Sequence, residues 1–232
     1  MRASVETFTR IGLVASAVIA SLARGRLQLD ARYPFVATMC FGLIMVPVIG
    51  LLRGHPLFDR FGPANQITAG RAMLVALVAG FIGEPRRPAV AASAAILGLI
   101  VVALDGVDGW VARRSGTTSD FGARFDMEID ALLILVLAIL VWQFEKAGPW
   151  VVLSGLLRYL FLAAGVLWPT LRQPLPPSRR RQTICVVQIV GLVLAVAPVV
   201  TPPLSTVLAA VSLLTLCYSF LVDTLWLWQH AP

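Results

Sequence analysis

Four aspartates, Asp105, Asp108, Asp126 and Asp130, fall within 26 residues of a chain that is otherwise largely apolar. An ionised carboxylate is expensive to hold at membrane depth, so such groups pair, bind a cation or line a watered cavity. Asp105 and Asp108 are three apart and Asp126 and Asp130 four apart, so on helices each pair shares a face. Between the pairs, Ser115, Gly116, Thr117, Thr118 and Ser119 are turn formers that interrupt a helix. Two helix ends joined by a short loop can therefore aim both pairs at one point. Ligands that are all oxygen suit Mg²⁺, Mn²⁺ or Ca²⁺ better than zinc or copper. Gly109 and Gly122 carry no side chains there, which lets a ligand or a neighbouring helix come close.

The elements that hold these residues must be membrane helices. The chain is 58% hydrophobic and 13% charged, with a mean hydropathy of +0.84. That composition belongs to a polytopic membrane protein rather than a soluble domain. A span needs about 20 mostly apolar residues. Candidate spans lie near residues 8–23, 34–52, 67–83, 88–112, 122–144, 149–168, 184–200 and 204–228. The breaks carry Pro, Gly or charge, as in Glu84-Pro85-Arg86-Arg87-Pro88 and Pro202-Pro203. The expected fold is all-α, with no internal repeat, no low-complexity tail and no soluble domain. Residues 1–60 form a hydrophobic extension of about two segments, and residues 61–232 form one membrane domain.

The aspartates belong to a longer pattern, D-x2-D-G-x2-A-R-x8-G-x3-D-x3-D, formed by Asp105, Asp108, Gly109, Ala112, Arg113, Gly122, Asp126 and Asp130. This pattern resembles the signature of the CDP-alcohol phosphatidyltransferases, integral membrane enzymes of phospholipid synthesis. All eight positions match at the right spacing. Upstream, Asn65, Thr68 and Arg71 are similar to the N-x2-T-x2-R that opens the first core helix in that family. The resemblance implies a six-helix core, here preceded by two extra N-terminal helices. It implies a CDP-linked lipid donor, usually CDP-diacylglycerol, an alcohol acceptor, and release of CMP. It implies two Mg²⁺ or Mn²⁺ ions, with Asp105, Asp108 and Asp126 as ligands. Asp130 would sit at the metal edge and serve as general base. Gly109, Ala112 and Gly122 would admit the CDP-lipid, Arg113 would bridge to phosphate or a carboxylate, and Asn65 and Thr68 would bind the nucleotide. Arg71 reads equally as a nucleotide contact or as a snorkelling anchor at a helix start. A homodimer is expected by the same likeness.

For the acceptor, a phosphorylated polyol such as glycerol-3-phosphate or inositol phosphate would need a basic pocket. Arg158, Arg179 and Arg181 are the candidates, and Arg158 is the sharpest because a mid-span arginine needs a partner. Relatives that use glycerophosphate tend to carry Arg-Glu where this chain has Arg158-Tyr159. Their Lys-Thr-x2-Gln is matched only loosely by Arg181, Thr183 and Gln188. The acceptor is therefore open, and a CDP-choline or CDP-ethanolamine donor with a diacylglycerol acceptor fits the same signature.

Arginine placement orients the chain. With Asn65 at the cytoplasmic face, Arg53, Arg60, Arg71, Arg113, Arg114, Arg172 and Arg179 to Arg181 are cytoplasmic, against Arg86, Arg87 and Lys146 on the other side of the core. The site then faces the cytoplasm of a bacterial inner membrane. Segment 8–23 reads as a retained anchor, with a signal peptide as the alternative. The net charge of +7 suits the positive-inside bias and anionic headgroups, and no nucleic-acid motif accompanies it. Cys40, Cys185 and Cys217 have no metal spacing and read as small apolar residues. Asp223 reads as a helix-end residue. The competing class is a divalent-cation or proton-coupled transporter. It predicts two related halves, which the sequence lacks, and gives no reason for the fixed Gly109, Ala112, Arg113 and Gly122. An inactive scaffold leaves the costly aspartates unexplained.

Overall fold

The computed structural model describes residues 2–54, 63–115, 120–176 and 178–230; within these, the side chains of 2–5, 50–54, 63, 108, 110, 112, 113, 115 and 120 lie outside the description. Among the described residues the chain is all-helical. Eight α-helices follow one another: α1 (Arg2–Leu27), α2 (Tyr33–Gly54), α3 (Pro63–Ala79), α4 (Pro88–Ser115), α5 (Asp120–Gln143), α6 (Leu153–Leu167), α7 (Arg179–Val196) and α8 (Leu204–Gln229). Short 3-10 turns at Pro149–Val152 and Pro169–Arg172 precede and follow α6. The chain divides into two compact units, Met1–Ile129 and Asp130–Pro232, with the division falling inside α5.

Among the described residues, four helical stretches are long and apolar enough to cross a membrane: Glu6–Leu27, Pro88–Val107, Pro149–Leu167 and Leu204–Gln229; Tyr33–Ile49 is a shorter apolar helix. The protein is an integral, polytopic membrane protein. The remaining helices fall short for visible reasons. α3 has 17 residues, α5 opens on the charged stretch Asp120 to Asp130, and α7 opens on three arginines. Leucine, isoleucine and valine side chains are exposed along α1, α2, α6 and α8, as a lipid-facing surface requires.

In the first unit α1 packs on α2, α2 on α3, and α3 on α4. The N-terminal hairpin is fastened to the core at the end of α3. Tyr33, 2% exposed, donates its hydroxyl to the Leu77 carbonyl at 3.0 Å and stacks on Phe81 with ring centroids 5.2 Å apart. Gly80 makes room for that ring, since a Cβ there would lie 2.7 Å from Tyr33 Cε2. The backbone N–H of Asp30 donates to both carboxylate oxygens of the buried Glu84 at 3.2 and 3.0 Å. Arg87 Nη1 donates to the carbonyls of Leu27 and Gln28, which would otherwise be unsatisfied at the end of α1. Gln28 itself adopts the left-handed conformation (φ 51°) that closes a helix. Hydrogen bonds from the Arg32 backbone and side chain hold the Asp30 carboxyl below its ordinary value.

In the second unit α6 meets α5 where Gly155 lies against Leu135, so closely that any Cβ would collide with the Leu135 backbone. α7 and α8 pack together with Gly191 against Ser212. One end is tied by Lys146, whose ammonium donates to the carbonyls of Ala197 and Val200, while its own carbonyl accepts the Ser205 and Thr206 hydroxyls. The other is tied by Arg180, which pairs with Asp223 and donates to the Ser219 carbonyl and hydroxyl.

Candidate active site

The site is built by α3, α4 and α5. α3 opens on Pro63, a residue suited to a first helical turn because its missing N–H had no partner there anyway. Asn65, Thr68 and Arg71 then recur every three residues and so track one side of the helix. Asn65 is half-buried, and Thr68 is buried with its hydroxyl donating to the Ala64 carbonyl at 3.1 Å. Arg71 is fully buried between small neighbours, Ala69 and Ala72, which are also fully buried.

A buried guanidinium is tolerable only when paired. Arg71 Nη2 lies 2.9 Å from Asp105 Oδ1 on α4, and Nη1 pairs with Asp126 Oδ1 on α5. The two carboxylates are only partly covered, at 30% and 37% exposure, so they keep an open side. Asp130 is the next turn of α5 after Asp126 and is half-buried. Asp105, Asp126 and Asp130 each present an oxygen, and the three lie within 4.8 Å of one another. On the second unit's own side, the Cys185 thiol of α7 lies 3.7 Å from Asp130 Oδ2 and can donate to it.

This donor set fits a hard divalent cation. All three donors are carboxylate oxygens, and the single positive charge of the buried Arg71, shared by Asp105 and Asp126, leaves the group with net negative charge for a cation. Asp108, Ala112 and Arg113 lie on α4, but their side chains are outside the described residues. Gly109 of α4 and Gly122 of α5 are half-buried at the two helix ends that flank the cluster.

The acceptor candidates belong to the second unit. Arg158 is half-buried on α6, one turn after the buried Ser154. Arg179 opens α7 and is exposed. Arg181 donates to the Pro176 carbonyl and lies 3.7 Å from Asp223 Oδ1. Asp223, read from the sequence as a helix-end residue, is thus a buried partner of the arginine run. One turn along α7 from Cys185, Gln188 is fully buried with neither amide atom hydrogen-bonded among the described residues. Two features were left open by the sequence reading. Arg71, which read equally as a nucleotide contact or an anchor, is buried and paired with the neighbouring aspartates, whose unbalanced charge was its signal. Gln188 had only a loose pattern to mark it.

The family model described as CDP-alcohol phosphatidyltransferase matches residues 61–221. The chain belongs to that family. It is 31% identical over 104 residues to the CDP-diacylglycerol--glycerol-3-phosphate 3-phosphatidyltransferase of Bacillus subtilis (strain 168), an alignment covering 40% of this chain and 54% of the relative. The chain therefore spans about half the length of that relative. No solved structure matches it.

Proposed function

We propose that this protein transfers a phosphatidyl group from CDP-diacylglycerol to an alcohol and releases CMP. The observation that carries the reading is the convergence of Asp105, Asp126 and Asp130, all signature positions of the family, on one point beside a buried arginine. Asp105, Asp108 and Asp126 would hold one or two Mg²⁺ or Mn²⁺ ions, which when bound supply charge neutralisation to the diphosphate and to the leaving oxygen. The chain's own residues do the rest. Asp130 accepts the proton of the acceptor hydroxyl. The acceptor oxygen bonds to the lipid-side phosphorus as the bond from that phosphorus to the CMP oxygen breaks. The Cys185 thiol orients the Asp130 carboxylate for that transfer. Asn65 and Thr68 hold the nucleotide end. Gly109, Ala112 and Gly122 leave room for it, and Arg113 meets phosphate.

A phosphorylated polyol is the acceptor class we favour, and the name of the Bacillus relative makes glycerol-3-phosphate the first compound to test. Arg158, Arg179 and Arg181 would bind its phosphate, and Gln188 supplies a buried amide that an acceptor hydroxyl would satisfy. The arginine bias along the chain supports a site at the cytoplasmic face. The test is acceptor-dependent CMP formation by purified protein with CDP-diacylglycerol and Mg²⁺. Gln188→Leu should raise the KM for the acceptor and leave that for CDP-diacylglycerol unchanged. CMP formed from CDP-choline and diacylglycerol instead would overturn the donor assignment.

A further inference from the structure

Arg71 occupies a position that a metal site does not need for ligation. Its guanidinium is fully buried and spreads its two terminal nitrogens over carboxylates from two different helices, Asp105 of α4 and Asp126 of α5. All three residues belong to the first compact unit. The planar guanidinium suits such a bridge, because each nitrogen aims at a separate acceptor in a fixed fork. Two carboxylates brought this close would repel each other without a cation between them.

We propose that Arg71 is a built-in counter-cation. It holds Asp105 and Asp126 in position while no divalent ion is bound, and it yields at least one of them when an ion arrives. Arg71 is then a positioning residue with two opposed effects. It stabilises the metal-free protein, and it weakens metal binding by competing for the same oxygens. The competition keeps the cluster folded and soluble in charge terms without a tightly held ion. Metal is therefore held weakly by the protein alone, and more tightly when the anionic diphosphate of the substrate adds its own charge. This inference rests on the proposed reading of the carboxylates as a divalent-cation site.

The experiment measures Mn²⁺ binding by electron paramagnetic resonance, without nucleotide, on purified wild type, Arg71→Met and Arg71→Lys in lipid nanodiscs, alongside thermal unfolding with and without Mn²⁺. Arg71→Met should be less stable than wild type without metal, bind Mn²⁺ about tenfold more tightly or better, and gain more stability from it. Arg71→Lys keeps the charge but loses the fork, so its Mn²⁺ affinity should stay within a few-fold of wild type while its metal-free stability drops. If Arg71→Met does not fold, the comparison rests on Arg71→Lys, where a tenfold tightening would overturn the proposal. Equal or weaker Mn²⁺ binding by a folded Arg71→Met would overturn it too, leaving the cation site intact. Failure of the wild type to bind Mn²⁺ at any concentration up to the millimolar range would instead sink the underlying reading of the cluster.

Discussion

Asp126 and Asp130 are one helical turn apart, yet their loss should have different consequences. Asp126→Asn removes one of the carboxylates paired with the buried Arg71. Breaking a fully buried ion pair costs about 3–5 kcal/mol. Here Asp126 is 37% exposed, and Arg71 retains Asp105 at 2.9 Å. Solvent screening and the surviving partner reduce the expected cost to about 1–2 kcal/mol. For a chain of this size that lowers the melting temperature by roughly 2–8 °C. Asp130→Asn keeps the shape of the side chain and leaves the Arg71 pairs with Asp105 and Asp126 in place, so its melting temperature should stay within about 2 °C of wild type. Its activity should not survive. Removal of a general base lowers the rate by about 10²–10⁴-fold, which is roughly 3–5.5 kcal/mol of barrier. Both variants should therefore be inactive in CMP release, and only Asp126→Asn should unfold early in a thermal scan. An Asp130→Asn protein that keeps more than a tenth of wild-type activity would refute its role as the base. An Asp126→Asn protein as stable as wild type would refute the structural weight given to the Arg71 bridge.

Three further outcomes are expected. Chelation of divalent ions should abolish CMP release, and Mg²⁺ or Mn²⁺ should restore it, whereas activity persisting in excess chelator would count against the metal assignment. Arg180→Ala should destabilise the protein by about 1–3 kcal/mol, because it removes the nearer cation from the buried Asp223 and leaves Arg181 at 3.7 Å; the neighbouring Arg179→Ala, whose side chain is exposed, should leave stability unchanged and raise the acceptor KM, which paired melting curves and kinetics will separate. Gly155→Val should force α6 away from α5, since even a Cβ meets the Leu135 backbone, at a cost of about 1–3 kcal/mol or more, seen as lost detergent-stable yield.

Hydropathy located all eight helices, but it marked where the chain is apolar rather than where it is helical. The stretch expected at 67–83 is helical from Pro63 to Ala79. The polar Asn65, Thr68 and Arg71 sit inside the helix, and the turn after it contains Gly83 at φ 88°. The stretch expected at 184–200 begins at Arg179, because arginines lower hydropathy without stopping a helix. The carboxylate cluster was legible because its spacing repeats the helical period on either side of a turn-forming run. Arg71 was not, since an arginine near a helix start has the same local sequence whether it snorkels to the interface or turns inward. Only the packing of α3 against α4 distinguishes the two. The fastening of the N-terminal hairpin was equally hidden. Glu84 and Arg87 read as loop charges, yet Glu84 binds the Asp30 backbone and Arg87 closes the end of α1, more than 50 residues away.

The most direct test of the central claim is CMP release by the purified protein in detergent or nanodiscs, with Mg²⁺, CDP-diacylglycerol and a panel of acceptors. The panel holds glycerol-3-phosphate, inositol-1-phosphate, inositol, serine and phosphatidylglycerol, with Asp130→Asn as the control. The account predicts CMP formation that depends on one acceptor, on divalent metal and on Asp130, with a phosphorylated polyol as that acceptor. Folded protein that forms no CMP with any acceptor, while binding neither CDP nor divalent metal, would contradict it.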